Sequence, residues 1–179
     1  GNPKGWYESL NWNPTGFPSS LDDAVIPGGK ANYPQIDISV LVNSITVEAG
    51  ASVTIISSAS LSSKYLTING LLRVNSGTVS SDVYATIGTT GNITITDGTI
   101  ISHSTMVNNG TGTNGINISG GTISIDSSLE NNGIINWSGG TVESSGSGVL
   151  KNMGRIDISG TGVLSNCNFM NTGTLAVGT

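Results

Sequence analysis

The sequence predicts an all-β fold, a right-handed parallel β-helix (β-solenoid) of about eight coils of about 20 residues with an N-terminal cap. The first observation is a recurring phrase: "ITITDGTIISH" at 93–103, "INISGGTISID" at 116–126 and "INWSGGTVESS" at 135–145. The second is that apolar and polar residues alternate within each phrase, which is typical of strands with one buried face. The third is a content of 26 glycines in 179 residues with no apolar run at helical spacing, which disfavours helix.

The phrases align on an anchor residue that stands two positions before the first apolar residue. The anchors are Gly70, Gly91, Asn114, Gly133, Gly154 and Gly173, with a looser copy at Asn43. Their spacings of 21, 23, 19, 21 and 19 residues define one coil each. Apolar columns recur at fixed positions around the anchors, and we assign Val142 with Val163 to one column and Leu66 with Ile87 to another. Such fixed positions predict side chains that stack from coil to coil.

Stacking is required because one coil of this length cannot bury its own apolar face. Backbone groups are then expected to pair between coils about 4.8 Å apart, and parallel crossovers are almost always right-handed. Glycine and asparagine are expected at corners, where they tolerate a positive φ. Asn131, Asn152 and Asn171 share one position relative to their anchors, which predicts an asparagine ladder. Trp137 falls at an inward position of its strand.

Composition narrows the classes of function. Charged residues make up 9% of the chain and the net charge is −5, so the sequence offers no basic patch for nucleic acid. It contains no apolar run of about 18 residues, so we expect no insertion into a membrane. The sequence begins with Gly1 and not with methionine, which predicts that a signal peptide has been removed. We therefore expect an extracellular or cell-surface protein.

Residues 1–35 differ from the rest and are predicted to form an N-terminal cap and first strand, followed by one continuous β-helix over 36–179. A solenoid end exposes strand edges and an apolar cross-section unless something covers it. Trp6, Tyr7 and Trp12 are suited to covering that end. The alternative interpretation of these aromatic residues is a platform that stacks on carbohydrate.

The C-terminal stretch "NTGTLAVGT" stops within a phrase. Two explanations stay open, namely that the chain is a segment of a longer solenoid or that another subunit stacks on this end. Head-to-tail stacking of copies would give an open filament. The predicted self-association interface consists of Trp6, Tyr7, Trp12 and Phe17 at one end and Phe169, Leu175 and Val177 at the other.

Several stretches also resemble a known group of proteins. "GWYESLNWNPTGFPSSLDDAVIP" at 5–27, "YPQI" at 33–36 and "VNSITVEAGASVTI" at 42–55 resemble the N-terminal cap and first coils of secreted bacterial β-solenoid surface proteins. "NNGIINWSGGTV" at 131–142 and "NTGTLAVGT" at 171–179 are similar to the repeats of these adhesin-like and haemagglutinin-like proteins. The resemblance implies a role in adhesion or structure, with cell-surface glycans as a further class of partner, and implies no catalytic residues.

Candidate catalytic residues are few. His103 is the only histidine and is expected at a surface corner. A polysaccharide-degrading β-helix would need acidic residues that converge on one face. Arg73 and Asp157 share an outward column but should lie about 19 Å apart. The remaining acidic residues considered are predicted not to stack in one column, and they are Asp82, Asp97, Asp126, Glu130 and Glu143.

Three other features are weighed as sites. Asp22 and Asp23 could bind Ca²⁺, but no second cluster supplies further ligands, so we expect no metal. Cys167 is expected to be a buried small residue and not a reactive thiol. One column of threonines could order water as ice-binding solenoids do, but it is only four residues long and cross-strand pairing on an exposed face is the favoured explanation. The column consists of Thr78, Thr99, Thr122 and Thr141.

The function predicted from the sequence is structural. We expect an extracellular solenoid subunit, not an enzyme and without a cofactor, that self-associates head-to-tail into a filament or forms the rod of a surface adhesin. A carbohydrate-binding module or a polysaccharide-degrading β-helix is the alternative, and ice binding is less favoured. Trp137 discriminates among them, because an outward Trp137 beside other aromatic residues would favour a sugar platform.

Overall fold

The computed structural model describes residues 4–178 and shows the predicted all-β solenoid of parallel strands. Within these residues, a 3-10 helix at Ser9–Asn11 precedes strands that form one sheet of eight and one sheet of twelve. The larger sheet supplies two faces and the smaller sheet one, so each turn of the chain passes through three faces.

The first face of the solenoid is the smaller sheet. Its strands in order are β2 (Gln35–Ile36), β4 (Ser52–Ile55), β6 (Leu71–Val74), β8 (Asn92–Ile95), β11 (Gly115–Ile118), β14 (Ile134–Trp137), β17 (Arg155–Ile158) and β20 (Thr174–Val177). Seven steps of the chain separate the eight strands described, so the solenoid has about seven turns where the sequence predicts about eight. The right-handed sense of the coil stays a prediction.

The second and third faces are joined by three long strands, β3 (Val40–Val47), β5 (Ser60–Ile68) and β7 (Thr78–Ile87). The second face contains their first halves, followed by β9 (Thr99–Ser102), β12 (Thr122–Ile125), β15 (Thr141–Glu143) and β18 (Val163–Ser165). The third face contains β1 (Asp23–Ile26), the second halves of the long strands, and then β10 (Thr105–Asn108), β13 (Ser128–Asn131), β16 (Val149–Asn152) and β19 (Asn168–Asn171). Because β1 pairs with β3, it is part of the solenoid sheet.

Apolar side chains stack inside the solenoid because alternate residues of each strand point inward. One complete column on the first face is Ile36, Ile55, Val74, Ile95, Ile118, Trp137, Ile158 and Val177. Trp137 is buried in this column, as predicted, so it is not part of a sugar platform. Each fully buried aliphatic side chain contributes about 1.5–3 kcal/mol. The stacked columns are therefore the main source of stability.

One predicted column is shifted near the C-terminus. Val142 pairs with Leu164 and not with Val163. The turn after Ile158 holds one more residue than the turn after Trp137, and a one-residue shift moves the inward position to the next residue. The assignment of Val163 to the inner column is therefore wrong.

A second predicted column is shifted in the middle of the chain. Leu66 pairs with Ala85, and Ile87 pairs with Ile68 instead. The turn that leads to Gly91 is two residues longer than the equivalent turn one coil earlier, so counting back from the anchor selects the wrong residue. Ile87 still points inward, because a two-residue shift preserves the alternation of the strand.

The glycines serve two separate requirements. Gly77, Gly121 and Gly140 have φ values of 86°, 66° and 78° at the corner before the second face, as expected of corner glycines. The anchors Gly133 and Gly154 do not have a positive φ. A Cβ atom on Gly154 would instead overlap the carbonyl oxygen of Gly133 in the preceding coil. The anchor glycines therefore allow adjacent coils to approach closely.

Candidate functional site: the two ends of the solenoid

The C-terminal end of the described chain exposes its inner apolar residues. Leu164 and Phe169 are each 39% exposed, Leu175 is 41% exposed and Val177 is 68% exposed. Within residues 4–178, the strands β18, β19 and β20 that carry these residues pair on one side only. The end therefore presents three strand edges around an apolar patch, which is a surface suited to adding further strands.

An asparagine ladder runs along the interior and reaches this end. It consists of Asn108, Asn131, Asn152 and Asn171, and each side-chain amide donates to the Oδ1 atom of the next at 2.7, 2.7 and 2.6 Å. The first three amides also donate to the carbonyl oxygens of Ile134, Arg155 and Thr174 at 2.8, 3.0 and 2.9 Å. The predicted ladder is confirmed. Asn108 is an additional member, which its distance from the anchor residue does not predict. Asn108 stands six positions before its anchor, Asn114, whereas each of the other members stands two positions before its anchor.

Asn171 differs from the other members of the ladder because its own amide donates to no acceptor within residues 4–178. The amides of Asn108, Asn131 and Asn152 each donate both to an asparagine oxygen and to a backbone carbonyl of the coil above. The N–H groups of Asn171 therefore lie where a further coil would supply acceptors.

The N-terminal end carries a segment without repeats, residues 4–22, which we call the N-terminal segment. Trp6 is 1% exposed and belongs to the apolar core together with Ala24, Ile26 and Ile36 of the first coil. Trp12 packs edge-to-face on Trp6 with ring centroids 4.7 Å apart, and its indole N–H donates to the carbonyl of Trp6 at 2.7 Å. The inner residues of the first coil are therefore buried.

Several polar contacts join the N-terminal segment to the first coil, and at its end the backbone N–H groups of Asn43 and Ser44 donate to the carbonyl of Asp22 at 2.9 and 3.4 Å. The backbone N–H of Gln35 donates to the carbonyl of Lys4 at 2.9 Å, and Gly5 forms a single parallel bridge with Gln35. The hydroxyl of Tyr7 donates to the carbonyl of Ser39 at 2.8 Å. Residues 10–18 of the segment line a cleft of about 1030 Å³ together with β1. The indole N–H of Trp6 is buried without an acceptor among the described residues.

The seven predicted interface residues thus lie at the two ends of the solenoid. Phe169, Leu175 and Val177 share the exposed C-terminal end. Tyr7 and Phe17 are exposed on the N-terminal segment, where their rings contact each other at 4.9 Å, and Trp12 is half-buried. Trp6 is buried inside the fold, so it cannot contact another copy while the N-terminal segment stays in place. The interface itself stays a prediction.

A corner cluster lies after the second face. The Nδ1 atom of His103 is 2.7 Å from Oδ2 of Asp126, and the hydroxyl of Ser145 donates to Oδ1 of Asp126 at 2.5 Å. The hydrogen bond from Ser145 and, to a smaller extent, the contact with His103 hold the pKa of Asp126 below its ordinary value. Ser145 donates to the carboxylate and not to the imidazole, so His103 is not placed to activate the hydroxyl as a nucleophile.

The strand register at this corner shows that the prediction that these acidic residues do not share a column is wrong for Asp82 and Asp126. Ser81 pairs with Ser102, and Ser102 pairs with Ile125, so the residues that follow them in sequence are in register. These are Asp82, His103 and Asp126. The two aspartates stand equally far after their anchors, a correspondence that the sequence already contained.

Two of the other acidic residues form ion pairs. Glu130 pairs with Lys151 of the next coil at 2.9 Å, and Asp157 pairs with Arg155 at 2.8 Å. Arg73 shares the outward column of Asp157 four coils away, as predicted. Among residues 4–178, no three histidine, cysteine or acidic side chains are grouped in a way that could hold a metal ion.

Asp22 and Asp23 bind protein donors. Asp22 accepts hydrogen bonds from the hydroxyl and backbone N–H of Ser19 at 2.6 and 2.8 Å, which lower its pKa. Asp23 accepts from the hydroxyl of Ser44 at 2.7 Å and the amide of Asn43 at 2.8 Å, and its pKa is lowered for the same reason. These contacts tie β1 to β3.

Cys167 and the threonine column complete the predicted features. Cys167 is half-buried against the core, less buried than predicted, and this burial raises the pKa of its thiol. Thr78, Thr99 and Thr122 are in register with Thr141 on the second face, so the predicted column is confirmed. The neighbouring outward column is mixed, containing Ser80, Ile101, Ser124 and Glu143. The threonines therefore form one row and not a broad array.

Comparison of the chain with protein-family models, with curated proteins and with solved structures returned no match. Within the described residues, no helix has the length and apolar character needed to cross a membrane. Functional interpretation therefore depends on the geometry of the two ends.

Proposed function

We propose that this chain is a structural, non-enzymatic solenoid subunit whose C-terminal coil stacks on the N-terminal end of another copy. Repetition of this contact extends the three parallel faces into a rod or filament. The observation that carries the proposal is the C-terminal end, where an apolar patch, three strand edges and the N–H groups of Asn171 point in one direction.

The strands at the two ends lie on the same three faces, which supports a second copy as the occupant. At the C-terminal end these strands are β20 on the first face, β18 on the second and β19 on the third. At the N-terminal end the corresponding strands are β2, the first half of β3, and β1. A second copy stacked head-to-tail would place each C-terminal strand beside the N-terminal strand of the same face.

The free energy of association is expected to favour this contact. Burial of apolar surface contributes about 25 cal/mol per Å², and the inner side chains of the last coil are substantially exposed. New backbone hydrogen bonds along three edges and acceptors for Asn171 would add to this contribution. The two surfaces in such a contact differ, so each bound copy leaves an equivalent end free and growth continues.

We place this rod outside the cell or on its surface. The proposal is supported by the low content of charged residues, 9%, and by the resemblance to secreted bacterial β-solenoid surface proteins. In this setting the filament subunit and the rod of a surface adhesin are two forms of the same role. Cell-surface glycans are a further class of partner that the resemblance suggests.

The test is sedimentation over a concentration series together with electron microscopy of the purified chain. We expect filaments with an axial repeat of about 38 Å, because each of the eight strands of the first face would occupy about 4.8 Å along the axis. Leu175→Asp should abolish filaments, because a charge at the contact would be buried without a partner.

The matched control is Val83→Asp on the side of the solenoid. Val83 is 43% exposed, close to the 41% of Leu175, but it lies at a corner and not at an end. This variant should assemble like the unmodified chain. Monomers at every concentration, or equal loss of assembly in both variants, would contradict the proposal.

A further inference from the structure

We propose that the N-terminal segment, residues 4–22, is an autoinhibitory strap that occupies the position of the incoming coil and must be displaced before a second copy can stack. This inference rests on the proposed head-to-tail function and adds its regulation. The juxtaposition that carries it is the placement of Lys4, Gly5 and Trp6 on the edge and apolar core of the first coil.

The segment and an incoming coil would compete for the same groups. The N–H of Gln35 in β2 donates to the carbonyl of Lys4, while in a stacked pair the edge of β2 would face β20 of the other copy. Trp6 fills the apolar space over the first coil that Leu175 and Val177 would otherwise fill. The two arrangements are therefore mutually exclusive.

The attachment of the segment is poorer than the contact between two coils. The parallel bridge at Gly5 joins the segment to one residue of β2, Gln35, whereas β4 on the other side pairs with both residues of β2. The buried indole N–H of Trp6 lacks an acceptor, which is a cost to the closed arrangement.

An incoming coil would make more of these contacts. It would offer β20 for pairing along β2, and the donors of Asn171 for carbonyl groups of the first coil. Exchange of the segment for a coil is therefore favourable once it begins, while its start requires Trp6 to leave the core. We infer that displacement of the segment limits the rate of assembly.

A reversible disulfide tests this inference in the full-length chain. The double substitution Gly5→Cys and Gln35→Cys, made together with Cys167→Ser, places two cysteines at a parallel bridge where Cα atoms are about 4.8 Å apart, within the range of a disulfide. We expect the oxidised form to assemble at least tenfold more slowly than the reduced form of the same protein. Cys167→Ser alone, with and without reductant, controls for the reductant.

The outcomes separate this inference from the proposed function. Equal assembly of the oxidised and reduced forms would overturn the strap while leaving head-to-tail assembly intact. Failure of every form to assemble, including the unmodified chain, would overturn the proposed function and the strap with it. Faster assembly only after reduction supports both.

A conservative variant provides a second measurement. Tyr7→Phe keeps the ring contact with Phe17 but removes the hydrogen bond to the carbonyl of Ser39. Loss of one such bond should speed assembly by about two- to tenfold. Tyr65→Phe is the matched control, because Tyr65 is exposed on the side of the solenoid and its hydroxyl makes no hydrogen bond within residues 4–178. An unchanged rate in the Tyr7 variant would contradict the strap.

Discussion

The two ends of the solenoid begin and finish the same apolar column in opposite environments. Ile36 is the first residue of the column on the first face and is 0% exposed, whereas Val177 is the last and is 68% exposed. Both positions have the same strand geometry and the same inward direction. The difference arises from what lies over them, namely Trp6 at one end and no described residue at the other. A coil is therefore stabilised by its neighbours on both sides and not by its own sequence alone.

The strand edges at the two ends of the solenoid differ in the same way as the buried column. Part of the edge of β2 is occupied by the backbone of Lys4 and Gly5, although the contact is short. On the side away from the rest of the solenoid, β18, β19 and β20 pair with no strand within residues 4–178. Open strand edges can pair with further strands, and of the two ends described the C-terminal one has the more open edges.

The largest effect that tests this contrast concerns the shared column. We expect Ile36→Ala to lower the free energy of unfolding by about 2–5 kcal/mol, because it leaves a cavity in a buried position. Val177→Ala should lower it by less than about 1 kcal/mol, since an exposed side chain loses little on truncation. Urea denaturation followed by circular dichroism, at a concentration where the chain is monomeric, measures both.

The two variants also decide whether the N-terminal segment buries the first coil in solution. Equally small losses from Ile36→Ala and Val177→Ala would mean that both ends are open, and the contrast between the ends would fail. A large loss from both would mean that the C-terminal end is covered in solution, for example by a second copy.

An intermediate effect is expected from the asparagine ladder. Asn131→Ala removes two donated hydrogen bonds and leaves the buried amide of Asn108 and the carbonyl of Arg155 each with one partner fewer. We expect a loss of about 1–3 kcal/mol in the free energy of unfolding. Asn171→Ala, at the exposed end of the ladder, should cost about 0.5–1.5 kcal/mol, because it removes one hydrogen bond, from Asn152.

The comparison is made by denaturation of both variants under identical conditions. A cost for Asn171→Ala as large as that for Asn131→Ala would show that Asn171 is already engaged by groups outside the described residues. In filaments the order should change, because an incoming coil would then satisfy Asn171 and raise the cost of losing it.

The repeating part of the fold could be predicted from the sequence for a physical reason. Inward side chains stack directly on one another, so each column repeats residues of similar character at the same position of successive coils. The inward positions of Trp137, Asn131 and Asn152 can be predicted from this repetition. Predictions failed where a turn changed length, as at Val163 and Ile87. Turn residues do not stack through side chains, so the sequence gives no independent measure of where the next strand begins.

The ends were harder to predict because they do not repeat. Trp6 and Tyr7 are adjacent and both aromatic, yet one is buried and the other exposed, and no column in the sequence distinguishes them. The corner contact between His103 and Asp126 was missed for a different reason. Their equal distances from the anchors were present in the sequence, and an alignment of corner positions as well as inward positions would have revealed them.

The smallest expected effect on stability comes from polar contacts at the N-terminal end, and it depends on pH. Asp23 joins β1 to β3 through Ser44 and Asn43, and these hydrogen bonds lower its pKa from the ordinary value of 3.8. A lowered folded-state pKa means that the contribution to stability is complete above about pH 4 and is lost as pH falls through the folded-state pKa. The melting temperature of the unmodified chain should therefore fall with pH below about 4.

Asp23→Asn should reduce this dependence, because an amide at position 23 can still accept hydrogen bonds but does not titrate. Asp97→Asn is the control, since Asp97 lies exposed at a turn and accepts no hydrogen bond within residues 4–178. Melting curves from pH 7 to pH 2.5 measure the three proteins, and Asp126 contributes the same acid dependence to all of them. If the curve of the Asp23 variant runs parallel to that of the control, the bonds from β1 to β3 do not stabilise the first coil. The protection of that end would then depend on the packing of Trp6 alone.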